Sequence, residues 1–587
     1  CYMGDDGNQN QHMQDADSIA TQNELLRPDM LVKRIMWDAL PILSSSTGNS
    51  YPDVTRLIKQ QMQQGALMMN YSGHGRADAV SHEYVLRLAD FAAATSMRLP
   101  LWLTASCDIM PFDGREENIG ETALFNSKGG AIAFYGTTRT VYQPQNKLMN
   151  LAFMHNVLST DEQGRPMPIG EAVRLAKNEL VTTGVFLGYD SRGREIWSTD
   201  LSENKLQYTL LGDPAMRLAL PTSTIVIDSI NSTAMANGTT LTLKAGSTAT
   251  IRGHVLNSEG TVNSTFNGVV SAVVRDAREE IVCKLNDPTE ADEAFTFYDR
   301  PNTIFSGNDS VRQGRFTFTF VVPKDIAYSS NAALINLYAV NNQKTITASG
   351  HCDQLVMNGT ENTASDNLGP SIYCYLNSTS FTNGGNVNST PYFVAELSDE
   401  DGINATGSGI GHDLELIIDG DMSKTYSLND YFQYDFGTYT RGRIGYSIPT
   451  LEYGLHRLLF RAWDVMNNSS TAELTFNVVK GQEPLFLDLS CSPNPASSKT
   501  TFYIVHDRIN SAMDVVLDVF DISGRHLWTY SENSVASAGN TFSFDWDLTV
   551  DGGRRLQTGV YLYRVRLGTE GGSMASKAKK LIIIGNK

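Results

Sequence analysis

Up to about residue 220, short apolar runs alternate with helical patterns, and beyond it the helical patterns stop. That switch constrains the fold more than any other feature of the chain. VTRLIKQQMQQG (54–65) carries apolar residues at helical spacing, with Asp53 as the expected N-cap and Gly65 as the expected C-cap. ALMMNY (66–71) reads as a short strand, YVLRLADFAAAT (84–95) as a helix, and LPLWLTAS (99–106) as a buried strand. ENIGETALFNSK (117–128) is an expected helix and GGAIAFYG (129–136) an expected strand. LMNLAFMHNVL (148–158) and IGEAVRLAKNELV (169–181) are two more helices. Strands alternating with helices argue for a parallel sheet covered on both faces. After about residue 222 the chain turns to short strands rich in Val, Ile, Thr, Phe and Tyr, as in TLTLKAGSTATIRGHVL (240–256) and RFTFTFVVP (315–323). Asn/Gly/Ser turns separate them, the pattern of β-sandwiches in series. The turn-rich stretch 356–370 and GQEPLF (481–486) mark boundaries, dividing the chain into 1–221, 222–357, 358–481 and 482–587.

At 587 residues the chain exceeds a single core, and about three to five domains are expected. The net charge of −18, with no Lys/Arg block, excludes nucleic acid as a partner, because phosphates demand a basic face. It also excludes docking to an anionic bilayer by charge alone. No run of about 18 apolar residues exists, so no helix is expected to span a membrane. The opening CYMGDD reads as a strand end running into a loop, so the chain is expected to be the C-terminal part of a longer protein. Six cysteines stand at 1, 107, 283, 352, 374 and 491 with no CxxC pair, which argues against a zinc site. Their wide scatter does not resemble a disulfide framework, and a Cys352–Cys374 bridge stays open.

Two of the expected strands end in reactive residues. NYSGHG (70–75) delivers His74 between two glycines, and ASCD (105–108) delivers Cys107. In a parallel sheet the carboxyl ends of strands line one edge, where ligands bind. The two residues are 33 positions apart, about one βαβ unit, so adjacent strands can bring them together. A thiol with a pKa near ~8.5 is mostly protonated at neutral pH, and a nearby imidazole promotes the thiolate. The same imidazole can then protonate a leaving amine. The backbone N–H groups of Gly75 and Cys107, where strands break into loops, are candidate oxyanion donors. Against this stand blander readings: a cysteine after an apolar strand is usually a small buried hydrophobe, and a histidine beside glycines is often a loop residue.

These residues resemble the gingipain-type (C25) cysteine peptidases of the caspase-like fold. The matching elements are NYSGHG, ASCD, GETALF (120–125), GGAIAFYGTT (129–138) and LLGDPAMRL (210–218), so the resemblance covers residues 1 to about 220. It implies a cysteine endopeptidase in which Cys107 is the nucleophile and His74 the acid/base. It also implies a third polar residue that orients the histidine; CYMGDDG offers Asp5 and Asp6, and Asp6, just before Gly7, aligns best. No residue of a specificity pocket carries over. In the last segment SPNPASSKTTFYI (492–504), VFDISGRHLW (519–528), LQTGVYLYRVRLG (556–568) and KKLIII (579–584) resemble the type IX C-terminal sorting domain, a small β-sandwich. The fold class that follows is an α/β caspase-like parallel-sheet domain, then two Ig-like β-sandwiches, then a C-terminal β-sandwich. That layout resembles the type IX secretion sortases of Bacteroidetes. The resemblance implies removal of C-terminal signal domains from secreted cargo at the outer-membrane surface and transfer of the cargo to anionic lipopolysaccharide. The implied partners are a PorV-like outer-membrane β-barrel anchor and other attachment-complex subunits. No cofactor is required, and a structural Ca²⁺ is allowed for.

Weaker signals remain. SDEDGIN (398–404) groups Asp399, Glu400, Asp401 and Asn404, oxygen donors suited to Ca²⁺, though a plain acidic turn explains them more simply. Trp463 reads as a core aromatic. Asn231 and Asn377 begin Asn-x-Ser/Thr triplets but read as turn residues. Glu117 and Glu121 read as helix solvation, with Glu121 near the site edge. Two rivals stand beside the sortase reading: a secreted gingipain-like protease, and a catalytically silent scaffold whose β modules bind partners.

Overall fold

The computed structural model describes residues 1–585 except 47, 97, 236, 237, 239, 363–366, 408–410, 510, 537, 538, 551, 552, 570 and 571. Parts of the expected boundary at 356–370 therefore lie outside the described residues. The chain divides into two compact units, one of residues 1–244, 248–319 and 327–359, the other of 245–247, 320–326 and 360–587.

The first unit opens with a six-stranded sheet. Its strands are β1 (Tyr2–Gly4), β2 (Arg34–Met36), β3 (Met68–Ser72), β4 (Leu101–Ala105), β5 (Ala133–Thr137) and β6 (Tyr208–Leu211), in the order β6-β5-β4-β3-β1-β2. All neighbours pair in parallel except β6, which runs antiparallel to β5. Every residue of β3 and β4 is buried, because helices cover both faces. The helices are α1 (Gln11–Leu26), α2 (Pro52–Gln64), α3 (Leu88–Ala92), α4 (Ile119–Phe125), α5 (Gln143–Val157) and α6 (Ile169–Val181). Ile19, Met149, Phe153, Ala172 and Ala176 from α1, α5 and α6 form one core. Val54, Ile58, Met62, Phe91 and Ile119 from α2, α3 and α4 form the other.

Local details depart from the sequence reading in three places. Residues 84–95 are not one helix: Leu86–Arg87 pairs with Ala79–Val80, and α3 is a short helix of its own. Asn126 ends that segment by donating its amide to the carbonyls of Phe91, Ala92 and Ala94, which a continuing helix would need for itself. Asp53 lies in the first turn of α2 behind Pro52, with Tyr51 at the N-cap, so it meets the helix dipole rather than capping. Helix α1 escapes the periodicity argument because it is largely polar, yet Met13, Ala16, Ile19, Ala20 and Asn23 are buried at helical spacing.

The rest of the first unit is β structure, including a hairpin of Glu279–Val282 with Thr296–Asp299. Residues 371–478 contribute four- and five-stranded sheets whose facing aromatics Phe393 and Phe460 lie 5.2 Å apart. Residues 486–583 contribute three- and five-stranded sheets that share a core of Phe502, Ile504, Val515, Leu517, Tyr563 and Val565. All six cysteines are free, Cys352 and Cys374 included. Asn231 and Asn377 are turn residues with left-handed φ of 54° and 60°. Trp463 is half-buried, its ring 4.1 Å from that of His412. Among the described residues no helix is long and apolar enough to cross a membrane.

Candidate active site

Strand register builds the site. Gly4 of β1 pairs with Ser72 of β3, and Ser72 pairs with Ala105 of β4. The three strands therefore end at one level, and the residues that follow them are Asp5, His74 and Cys107. Asp5 leaves β1 straight into a set of donors. Its Oδ2 accepts the backbone N–H of His74 at 2.7 Å, and its Oδ1 meets His12 Nδ1 on α1. The Tyr71 hydroxyl sits 3.0 Å from Asp5 Oδ2 and 2.7 Å from the His74 carbonyl, holding the two segments together. Burial works to raise the Asp5 pKa, but His12 and the His74 N–H outweigh it and hold it at about 2. Asp5 is thus an anion at every working pH.

The His74 ring is half-buried. It stacks on His82 at 4.0 Å and meets the edge of His12 at 4.8 Å. Burial lowers its pKa, and the two flanking imidazoles add to this against the pull of Asp5. A neutral imidazole at neutral pH is the form a general base needs. His12 behaves oppositely: burial opposes its protonation, but the Asp5 carboxylate prevails and raises its pKa.

Cys107 packs its side chain beside the α1–α5–α6 core. Its thiol lies 3.3 Å from the Val141 carbonyl, to which it donates, and 3.5 Å from the Val141 N–H. Among the described residues no hydrogen bond joins Cys107 to His74. Asp108, the next residue, turns the chain sharply with φ of 46°, a left-handed conformation that a non-glycine residue holds at some cost. Gly75 begins a two-residue strand paired with Val80. A Cβ there would lie 2.2 Å from Ser106 Oγ and 2.8 Å from Ile109 Cδ1, so any larger residue would force these side chains beside Cys107 to shift.

Asp6 faces another way. Its Oδ2 accepts the Tyr51 hydroxyl at 2.6 Å, and no described hydrogen bond links it to His74. Burial pushes its pKa up to about 7, with Glu83 and Asp5 adding to this against the Tyr51 bond. The sign is that of an acid whose folded pKa exceeds its ordinary 3.8: ionisation costs stability as pH rises from there to about 7. Asp6→Asn, which still accepts from Tyr51, is expected to be more stable than the parent by about 2–4 kcal/mol at about pH 8 and equal to it at about pH 4. Denaturant unfolding at the two pH values checks this; a pH-independent difference would contradict it.

Glu121 closes the N-terminal turn of α4, where it bonds Asn118, rather than facing the site. His12, His82 and Tyr71 have no individual signal in the sequence. The spacing of Met13, Ala16 and Ile19 along α1 is the clue that could have brought His12 in. In the second unit, carboxylate oxygens of Asp399, Asp401 and Asp464 lie within 4.8 Å of one another. Oxygen donors suit a hard cation such as Ca²⁺, but three carboxylates fall short of the six to eight ligands it takes. Asp464 already accepts from the Met466 and Asn468 backbones, Asn404 turns instead to Asp325, and Glu400 is exposed.

Residues 1–219 match the family model of peptidase family C25. No curated protein matches the chain. Among solved structures, dimeric latent PorU from Porphyromonas gingivalis is 33% identical over 78% of this chain and 41% of its own, with a TM-score of 0.33. The Arg-specific cysteine proteinase gingipain R, RgpB, of Porphyromonas gingivalis is 15% identical over 60% of this chain and 66% of its own, with a TM-score of 0.29. The chain thus spans less than half the length of the PorU structure it matches.

Proposed function

We propose that the domain whose residues 1–219 match the family model of peptidase family C25 is a cysteine endopeptidase in which Cys107 is the nucleophile and His74 the acid/base. The observation that carries this reading is the shared register of β1, β3 and β4, whose ends bring Asp5, His74 and Cys107 to one edge of the sheet. The neutral imidazole takes the thiol proton as Sγ attacks the scissile carbonyl carbon, and the Gly75 and Cys107 N–H groups receive the oxyanion. Collapse of the tetrahedral adduct breaks the C–N bond, and the imidazolium gives its proton to the leaving amine. The thioester is then resolved by water or by an amine, so hydrolysis and transpeptidation share their first half. Substrate binding must first turn Sγ away from the Val141 carbonyl, a tightening that resting sites commonly require. Asp5 holds the His74 backbone in this scheme, while Asp6 bonds Tyr51 instead.

The finer reading is a surface sortase of type IX secretion. It removes C-terminal signal domains from cargo and transfers the cargo to anionic lipopolysaccharide, docked to a PorV-like β-barrel anchor. Its supports are the series of β modules, read as Ig-like, and the sorting-domain motifs in 492–584. Cys107→Ala in the native bacterium is expected to leave cargo uncleaved and absent from the surface layer. Cargo that is still trimmed and attached would sink the sortase reading. The Val141 hydrogen bonds of the thiol favour one alternative, a silent scaffold, and a thiol-directed probe separates the two. An active enzyme labels at Cys107 near neutral pH, whereas a scaffold does not.

A further inference from the structure

Helix α1 starts in an unusual way. Asn8, Gln9 and Asn10 are all left-handed, with φ of 55°, 57° and 62°. Asparagine is a favoured N-cap because its side chain normally accepts an N–H of the first turn. Asn10 occupies the N-cap of α1 but makes no such bond. Its buried amide instead donates to the Glu293 carbonyl at 2.7 Å. Gln9 is held in the same place: its N–H donates to the Glu290 carbonyl at 3.0 Å, and its Oε1 accepts the Asp292 N–H at 2.9 Å. Residues 290–293 belong to the loop between Glu279–Val282 and Thr296–Asp299, outside the family-matched segment.

That loop is itself anchored at two further points. Asp38, just beyond β2, accepts the N–H groups of Leu285 and Asn286 at 2.7 and 2.8 Å. Cys283 and Phe297 from the hairpin pack on Met13, Ala16 and Met36. The clasped turn leads straight into the site. Asn8 bonds His12 Nε2 at 3.2 Å, while a Cβ on Gly7 would come within 2.8 Å of His74 Nε2. The turn therefore sets how closely residues 5–7 lie against the His74 ring and where His12 stands between Asp5 and His74.

We infer that the 284–293 loop of the first β module is a structural part of the active site, and that Gln9 and Asn10 are positioning residues through which it holds Asp5, His12 and His74 in place. This rests on the reading of His74 as the acid/base. It explains why a left-handed run of three non-glycine residues persists: contacts from another part of the chain hold it there. It also gives the β module a role in catalysis, besides any role in binding partners.

The test is Gln9→Gly/Asn10→Gly in the full chain, which removes both side-chain bonds while glycine still accepts the left-handed backbone. The readout is the pH titration of histidine ring ¹³C signals. His12 faces Asp5, Asp6, Asp15 and His74, and His74 faces Asp5, His12 and His82. In the variant both are expected to move toward the ordinary histidine value by about 0.5 unit or more, His12 downward and His74 upward. The histidines of residues 360–587 should not move. Titrations of His12 and His74 that superimpose on the wild type would overturn the inference. Should the double variant fail to fold, Asn10→Gly alone gives the same readout. Peptide cleavage by the wild type is measured alongside. Its absence would count against the catalytic reading, while the titrations still decide the clasp.

Discussion

Cys107→Ala is expected to reduce peptide-bond cleavage to background, a loss of roughly 10⁴–10⁶-fold in kcat, with folding unchanged. The magnitude follows from the division of labour at the sheet edge. In the proposed mechanism no thioester forms without Sγ, and what remains is binding and whatever the oxyanion donors contribute, typically about 10³–10⁴ over water. His74→Ala is expected to fall by a similar factor, because the thiol would then lose its proton acceptor and the leaving amine its donor. The double variant should be little worse than either single one if, as proposed, the two groups act as a unit. Cys107 is only partly buried, so the smaller side chain leaves the core intact. Steady-state kinetics on a peptide substrate, with the unfolding midpoint as control, measure this. A Cys107→Ala enzyme that retains a tenth of its activity would remove Cys107 from the mechanism.

The second large effect concerns Arg34 rather than Cys107 and His74. Its side chain is fully buried in β2, with Nε 2.8 Å from Asp17, Nη1 3.0 Å from Glu24 and Nη1 3.6 Å from Asp299. Burial opposes its charge, yet Glu24, Asp299 and Asp17 together hold the pKa above the usual arginine value. Asp299 closes the hairpin that carries the 284–293 loop, so one guanidinium ties β2, α1 and the β module together. Arg34→Met fills the volume but leaves these carboxylates short of a cation, with Arg278 still on Glu24. The expected loss is about 3–5 kcal/mol, the usual result of removing one partner from a buried ion network. Arg34→Lys should not restore it, because a compact ammonium cannot reproduce the spread of guanidinium nitrogens by which Nε meets Asp17 while Nη1 and Nη2 meet Glu24. Denaturant unfolding of the full chain checks this. A variant within about 0.5 kcal/mol of the parent would show that the network is surface-like in strength.

Much of the α/β domain was legible in advance because its signals are local. The apolar runs at 66–71, 99–106 and 129–136 are too short for helices and became β3, β4 and β5. The amphipathic stretch at 54–65 became α2, because its apolar spacing has only one helical solution. Segment 84–95 misled, since the side chain that ends its helix, Asn126, stands more than thirty residues away. Helix α1 was missed because its buried face includes His12, Asp15 and Asn23, polar residues whose partners lie on other elements.

The sequence by itself determined the alternation of strands and helices, the change to β modules near residue 220, and the position of His74 and Cys107 just past strand ends. Periodicity and strand length decide these, and both are properties of neighbouring residues. It could not decide between Asp5 and Asp6. The chain bends at Asp6 just past the end of β1, so Asp5 faces His12 and His74 while Asp6 faces Tyr51. Nor could it tell that the thiol rests on Val141, that His82 and His12 flank the His74 ring, or that a loop nearly 300 residues downstream grips the turn after Asp6. Those outcomes depend on register between distant segments and on which buried donor finds which acceptor, and only the assembled fold sets them.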